Sequence, residues 1–331
     1  RRSTAKSSYV QLTAICEKHG EFTQPLGGRE RGQRCLLCAR QNSTGAQEIA
    51  EFLTSFENLE QEALLGEDRQ RWDIYIPSAN LAVEYHGIYW HSDEYRAKLY
   101  HLNKHKASLA AGIRTIHIFD DEWANKRTIV ERALRNAVGK SVDAKVSARK
   151  CAVVRVSTAE ARVFLDRTHI QGYAAATAYY GLKSEGQLVA VAGFSMKERG
   201  RSGKKSSTQA ELVRYSTSAS VRGGLSRVLA AAQRELGFTV CTTFSDIRFF
   251  EGGAYRATGF SEIGRLSPDY FYCKSGKRIH KSALQKTRVK KLADRGLALF
   301  DPALTEAQLA VLNNYSRVWD CGKVVWQKAW T

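Results

Sequence analysis

Apolar positions along this chain change period several times, and each change marks an element. From Gly45 to about Leu65, Ile49, Phe52, Leu53, Phe56 and Leu59 fall at helical intervals, with Ser43 or Thr44 placed to cap the start. After Trp72 the period shortens to two. Ile74 and Ile76 alternate with Asp73 and Tyr75, and Pro77 with the Ser78-Ala79-Asn80 turn ends the strand. Leu81 to His86 is a second short apolar strand, broken by Gly87. A helix between Tyr95 and Ala111, a central strand from Ile113 to Phe119 and a closing helix from Asp121 to about Val138 complete the first half. The polar, basic stretch 139–150 is a linker. Beyond it, Ala152–Val156, Thr177–Leu182, Leu188–Phe194, Glu211–Ser216 and Val240–Ser245 read as strands, and an alanine-rich helix runs through Leu236.

Two adjacent antiparallel strands carry Asp73 and the end of the second strand to one edge, so Asp73, Glu84, His86 and His91 can converge. Carboxylates that share a site repel unless a cation or proton neutralises them, and hard oxygen ligands suit Mg²⁺. Singly, each is more simply a polar residue at a strand end. Four within nineteen residues favour a site.

Asp-x-Tyr-x-Pro followed by Glu-x-His-Gly-x-x-Trp-His resembles the very-short-patch-repair (Vsr)-like branch of the PD-(D/E)xK nucleases, and more closely the EDxHD homing endonucleases of phages and introns. The resemblance covers residues 44 to 138. It implies a restriction-endonuclease-like mixed-sheet α/β core in which Asp73, with Glu84, holds Mg²⁺. His86 and His91 would be the catalytic histidines, and Glu48, from the preceding helix, the first acid. A solvated helix glutamate is the plain alternative for Glu48. Tyr85 departs from the small hydroxylated residue of the repair enzymes, and Glu84 would replace that function. His101, Lys104, His105 and Lys106, on the helix between Tyr95 and Ala111, would form a basic face over phosphate, and Lys104 could orient a water.

Charge narrows the partner. The 331 residues carry a formal net charge of +18, with a pI near 9.7. Such a balance implies an anionic partner, most often nucleic acid. No apolar run reaches a membrane-spanning length, so the expectation is a cytoplasmic protein, encoded by a phage or mobile element and bound to double-stranded DNA as a monomer or dimer. Seven cysteines, an odd number, argue against a secreted disulfide framework. Cys16-x-x-His19 and Cys35-x-x-Cys38 supply four ligands for a structural Zn²⁺ in a small zinc ribbon, residues 1–44, whose folding would depend on the metal. Incidental thiols are the alternative.

In the second half, Val221-Arg222-Gly223-Gly224-Leu225-Ser226 places a glycine turn between a strand and a helix N-terminus, which makes an anion cradle, although a plain turn is commoner. Asp246-x-Arg248 and Gly252-Gly253-x-Tyr255-x-x-x-Gly259-Phe260 follow. This succession resembles an acetyltransferase (GNAT) domain and its Mom-type DNA-modifying relatives, in which an aspartate and a tyrosine stand at the positions of Asp246 and Tyr255. The resemblance implies a second α+β domain over 148–331 and a second site, with acetyl-CoA an alternative cofactor rather than an expected one. Between Arg265 and Phe300 ten Lys/Arg face two Asp/Glu, among aromatics. Lys274, Lys277, Arg278 and Lys281 are accordingly candidate DNA contacts. The expectation is therefore a three-part α/β protein (1–44, 45–140, 148–331) acting as a sequence-specific, Mg²⁺-dependent DNA endonuclease. The alternative is a DNA-binding or DNA-modifying GNAT-like acyltransferase whose nuclease-like module is inactive.

Overall fold

The computed structural model describes residues 11–16, 20–25, 44–65, 70–196 and 208–330. The chain divides into two compact units, Arg1–Glu51 and Phe52–Thr331. In the first, β1 (Gln11–Cys16) and β2 (Gly20–Pro25) form an antiparallel hairpin. His19, Cys35 and Cys38, and the side chain of Cys16, lie outside the described residues. The helix α1 (Thr44–Thr54) buries Ile49, Ala50 and Leu53 on one stripe. It stops eleven residues before the expected end, Leu65. Residues Glu60–Leu65 are instead strand β3, because Glu60 to Leu65 find ladder partners from Tyr75 back to Gln70.

The second unit opens with a four-stranded sheet in the order β3-β4-β5-β6, where β4 is Gln70–Ile76, β5 Leu81–His86 and β6 Arg114–Phe119. Between β4 and β5 the chain turns through Pro77–Ala79 onto Asn80, whose φ of 45° is left-handed. Asparagine tolerates that region, and its side chain is used twice: Nδ2 donates to Gly112 O at 2.7 Å and Oδ1 accepts from Tyr75 at 2.9 Å. This turn fixes the register Ile74↔Val83, which leaves Asp73 and Glu84 adjacent. β5 and β6 run parallel, linked through α2 (Tyr100–Ala110). The expected closing helix is two helices, α3 (Asp120–Asn125) and α4 (Arg127–Ala137).

After the short strand β7 (Lys145–Ser147), a seven-stranded sheet begins with β8 (Ala152–Val156). The helix α5 (Thr158–Thr168) starts at a Ser157–Glu160 capping box, then β9 (Ala178–Ser184), β10 (Gln187–Ser195) and β11 (Gln209–Thr217) form an antiparallel meander. β12 (Ser220–Arg222) leads into α6 (Gly224–Leu236), and β13 (Val240–Asp246) returns parallel to β11. Alternation along the strands serves both faces: Ala190, Ala192 and Phe194 pack with Leu225, Val228 and Leu229 of α6, whereas Val191 and Tyr179 pack with Phe164 and Leu165 of α5.

The helix α7 (Gly253–Ala257) and β14 (Ser261–Leu266) follow. The chain then leaves the sheet to build β15 (Tyr270–Lys274), β16 (Lys277–His280), α8 (Lys286–Ala293), α9 (Glu306–Leu312) and β17 (Ser316–Trp319). It returns as β18 (Lys323–Ala329), antiparallel between β13 and β14. The sheet order is β14-β18-β13-β11-β10-β9-β8. The inserted small sheet packs against the first one: Cys273 and Val318 share a buried cluster with Ile88 and Phe119, and Ser92 bridges to Val318. Cys151, Cys241, Cys273 and Cys321 are free and buried, and Trp326 is core. Among the described residues no helix is long and apolar enough to cross a membrane.

Candidate functional sites

On the two inner strands of the four-stranded sheet, two of the expected residues, Asp73 and Glu84, lie side by side. Asp73 Oδ2 accepts the Tyr85 N–H at 2.8 Å, and Glu84 Oε1 accepts the Asp73 N–H at 3.3 Å. Lys104, from α2, donates to Glu84 Oε2 at 2.6 Å. Both oxygens of Glu84 are thus committed, and the residue is only 2% exposed. Burial, with Asp73 beside it, raises Glu84 to about 8 against the pull of Lys104. Burial likewise raises Asp73, against the backbone N–H of Tyr85 and the charge of Lys104.

Behind the carboxylates lie five imidazoles. His86 Nε2 and His117 Nδ1 are 2.9 Å apart, as are His91 Nδ1 and His101 Nε2, and His101 Nδ1 donates to Trp319 O at 2.7 Å. The His105 ring lies 5.6 Å from that of His117, tilted by 46°. Desolvation holds all five neutral, with His91 lowered to about 3 and His101 and His105 to about 4. His101 and His105, expected on a basic face over phosphate, are instead buried because α2 turns them onto the sheet, and His117 has no expected role. Two histidines four apart on α2, and a histidine in the apolar strand β6, were the available signals. Glu48 sits half-buried on α1 of the N-terminal unit.

The expected DNA contacts divide. Lys106, Lys274 and Lys277 are exposed. Lys274 Nζ nevertheless donates to Asn313 O at 2.9 Å, Lys281 pairs with Asp269 at 2.7 Å, and Arg278 pairs with Asp121 and Glu122 at 2.8 Å.

A second site lies in the seven-stranded sheet. The parallel strands β11 and β13 pair only from Gln209 to Glu211 (with Val240 to Thr242) and then part. At the same place β11 is bulged, since Gly193 faces Arg214 while Phe194 faces Leu212, which leaves Val213 as the extra residue. A cavity of about 560 Å³ fills the fork, lined among others by Glu211, Arg214, His169, Asp246 and Tyr255. The expected pair, Asp246 and Tyr255, therefore shares one wall. Asp246 accepts from Arg248 Nη2 at 2.9 Å and from the Arg248 N–H at 3.1 Å, so it is anchored from behind. The Tyr255 hydroxyl stands 3.4 Å from Thr243 Oγ1, and burial raises its pKa. Burial, with the charges of Arg214 and Lys126, lowers His169 to about 3. Its Nδ1 accepts the Gln171 N–H at 3.1 Å.

Beyond the open end of β11 lies a second cavity of about 490 Å³, lined by Thr217, Gly223, Gly224 and Leu225 at the start of α6. Gly223 has a φ of +75°, and a Cβ on Gly224 would come within 2.6 Å of the Tyr215 hydroxyl. The left-handed backbone of Gly223 favours glycine and Gly224 is tightly placed, and both line the second cavity at the start of a thirteen-residue helix.

No protein-family model and no curated protein matches the chain. Solved structures do, over about half of the chain. An aminoglycoside 6'-acetyltransferase type Ii is similar at 13% identity over 46% of this chain and 68% of its own, with a TM-score of 0.25. A GNAT family acetyltransferase from Elizabethkingia anophelis with acetyl-CoA bound is similar at 6% identity over 55% and 99%, TM-score 0.29. A Bacillus subtilis acetyltransferase in complex with CoA is similar at 12% identity over 55% and 100%, TM-score 0.30.

These similar structures are acetyltransferases, not nucleases, and the expectation of a DNA endonuclease, a phosphodiester hydrolase of the PD-(D/E)xK type, is corrected on that finding. The side chains supply a physical reason. Glu84 is closed off by Lys104 and a backbone N–H, and His86 is 0% exposed. Neither presents itself to a phosphodiester, whose charged backbone would have to reach them through packed protein.

Proposed function

We propose that the chain is a GNAT-like acyltransferase that takes an acyl-coenzyme A thioester in the fork between β11 and β13, with DNA as its bound partner. The observation that carries the reading is the parting of two parallel strands over one cavity, with a second beside it at a glycine-lined helix N-terminus, Tyr215 and Ala254 lining both. The residues fit such a cofactor. Gly223 and Gly224 clear the cradle for a diphosphate, with backbone N–H groups and the helix dipole favouring its charge. From Thr217 back to Val213, five strand residues span about 13 Å, room for an extended arm alongside β11.

When bound, the thioester would supply the acyl group, a C–N bond to an acceptor amine forming as the C–S bond breaks. Glu211 is the last paired residue before the fork opens, and its carboxylate would take the proton from the attacking amine. Tyr255 would give its hydroxyl proton to the departing sulfur, a task suited to a phenol that burial keeps protonated. Asp246, pinned by Arg248, would hold that wall in place. The net charge of +18 favours a nucleic-acid partner.

Calorimetric titration of the full chain with acetyl-CoA and with CoA tests the reading, followed by release of free thiol with and without duplex DNA. Saturable binding, with thiol release dependent on an amine acceptor, is expected. A folded chain that binds neither acetyl-CoA nor CoA would overturn it.

A further inference from the structure

We propose that His86, His91 and His101 form a binding site for a borderline divalent metal ion, zinc above all. One ring nitrogen from each lies within 4.8 Å of the other two. The three rings come from different elements: the end of β5, the turn that closes with His91 N–H on Gly87 O at 3.0 Å, and α2. Their centroids are 4.4 to 5.1 Å apart.

Two hydrogen bonds decide which nitrogens face inward. His101 Nδ1 donates to the carbonyl of Trp319, which leaves Nε2 as the lone-pair nitrogen; it accepts from His91 Nδ1 at 2.9 Å, a bond that a bound ion would replace as the His91 proton moves to the Nε2 of its own ring. An imidazole whose other N–H is held by a backbone carbonyl is the usual arrangement behind a metal-bound histidine. His86 Nε2 is spent on His117 Nδ1, so its remaining nitrogen is Nδ1, which is buried and has no partner among the described residues. An orphaned imidazole nitrogen in a fully buried residue carries a desolvation cost that a bound cation removes.

The distances suit the ion. Nitrogens bound at 2.0–2.1 Å around a tetrahedral zinc sit roughly 3.3 Å apart, so about 1 Å of side-chain movement completes the triangle. The fourth position is left for water or an anion. Neutral imidazole is a good ligand for zinc, cobalt, nickel and copper, and a poor one for Mg²⁺. An ion here would tie β5 and α2 together and, through Trp319, would brace the inserted sheet against them. The proposal stands apart from the acyltransferase reading and shares no residue with the fork.

The test uses the full chain, stripped with chelator and titrated with Co²⁺. Weak visible bands from an all-nitrogen site are expected, separate from the near-ultraviolet thiolate band that any Cys16, Cys35 and Cys38 site would give. His91→Ala, at the most accessible of the three, should lose about one metal equivalent. It should keep any thiolate band and its metal-free circular dichroism. Zn²⁺ should raise the melting temperature of the wild type by more than that of His91→Ala. His86→Asn provides a second variant should His91→Ala not fold. Cobalt uptake confined to a thiolate spectrum, or unchanged in a folded variant, would overturn the assignment.

Discussion

Arg248, just past the end of β13, places Nη1 3.0 Å from both carboxylate oxygens of Glu122, on α3. The pair is almost wholly buried, at 2% and 7% side-chain exposure, and it joins the two large sheets of the second unit. Arg248 also holds Asp246, and Arg278 of the inserted sheet reaches Glu122 at 2.8 Å. Burial alone would raise Glu122, but the two guanidiniums pull it down to about 2. Removing one partner of such a pair strands the other charge in a dry interior. Arg248→Met is therefore expected to cost about 3–5 kcal/mol. The readout is a lower urea midpoint, and a midpoint equal to that of the wild type would show that the network contributes nothing net.

Acid should weaken the protein well above the range of ordinary carboxylates. His86, His91, His101, His105 and His117 are all held neutral by burial, with folded pKa values depressed below the usual 6.5. A group depressed on folding contributes stability above its unfolded pKa and loses it as pH falls. Each histidine should thus remove about 1.4 kcal/mol per pH unit between 6.5 and its folded value. Glu84 acts with the opposite sign. Raised to about 8, it contributes below 4.5 and loses that contribution as pH rises through 8. Several histidines outweigh one glutamate, so stability should fall steeply from pH 6.5 to 4. Glu122 adds to the loss only below about 4.5. Urea midpoints across pH 8 to 4 in chelator-treated buffer give the measurement. A flat profile from 6.5 to 5 would mean that the cluster is already protonated or open.

What the sequence could show of this molecule was set by distance along the chain. Asp73 and Glu84 were readable as neighbours because a three-residue turn fixes the register of their strands. Asp246 and Tyr255 stand close in the strand–turn–helix succession, and both line one cavity. Glu122 and Arg248, 126 residues apart, leave no local pattern, and by sequence Glu122 is one more acid in the first turn of the closing helix. The basic run after Arg265 looked like a free DNA grip for a related reason. Its charge count could not reveal that Arg278 and Lys281 already have carboxylates. The helix α1 was drawn too long because Glu60–Leu65 has no strong period of its own, and only pairing with β4 makes it a strand.

Closing the cradle at α6 should abolish cofactor binding before it harms the fold. A Cβ on Gly224 meets the Tyr215 hydroxyl at 2.6 Å and Val221 at 3.0 Å, so Gly224→Val must push the tyrosine into the fork or swing the turn away. CoA affinity is expected to fall by more than 10-fold, which corresponds to about 1.4 kcal/mol or more. Calorimetry on the variant provides the check. Unchanged affinity in a folded Gly224→Val protein would place the diphosphate elsewhere.

Tyr255 offers the sharpest test of chemistry, since its hydroxyl can be removed without moving its ring. The ring packs against Phe260 and Trp326 at centroid distances of 5.7 and 6.1 Å, contacts that phenylalanine preserves. The hydroxyl loses only a 3.4 Å contact to Thr243. If the phenol protonates the departing sulfur, Tyr255→Phe should lower kcat by about 100-fold or more and leave KM for acetyl-CoA nearly unchanged. A matching rise in KM with kcat intact would instead make Tyr255 a residue that positions the cofactor. The phenol is kept protonated by burial, so its loss should also remove any fall in kcat at alkaline pH. Rates measured from pH 6 to 10 for both proteins, with thiol release as the signal, separate the two roles.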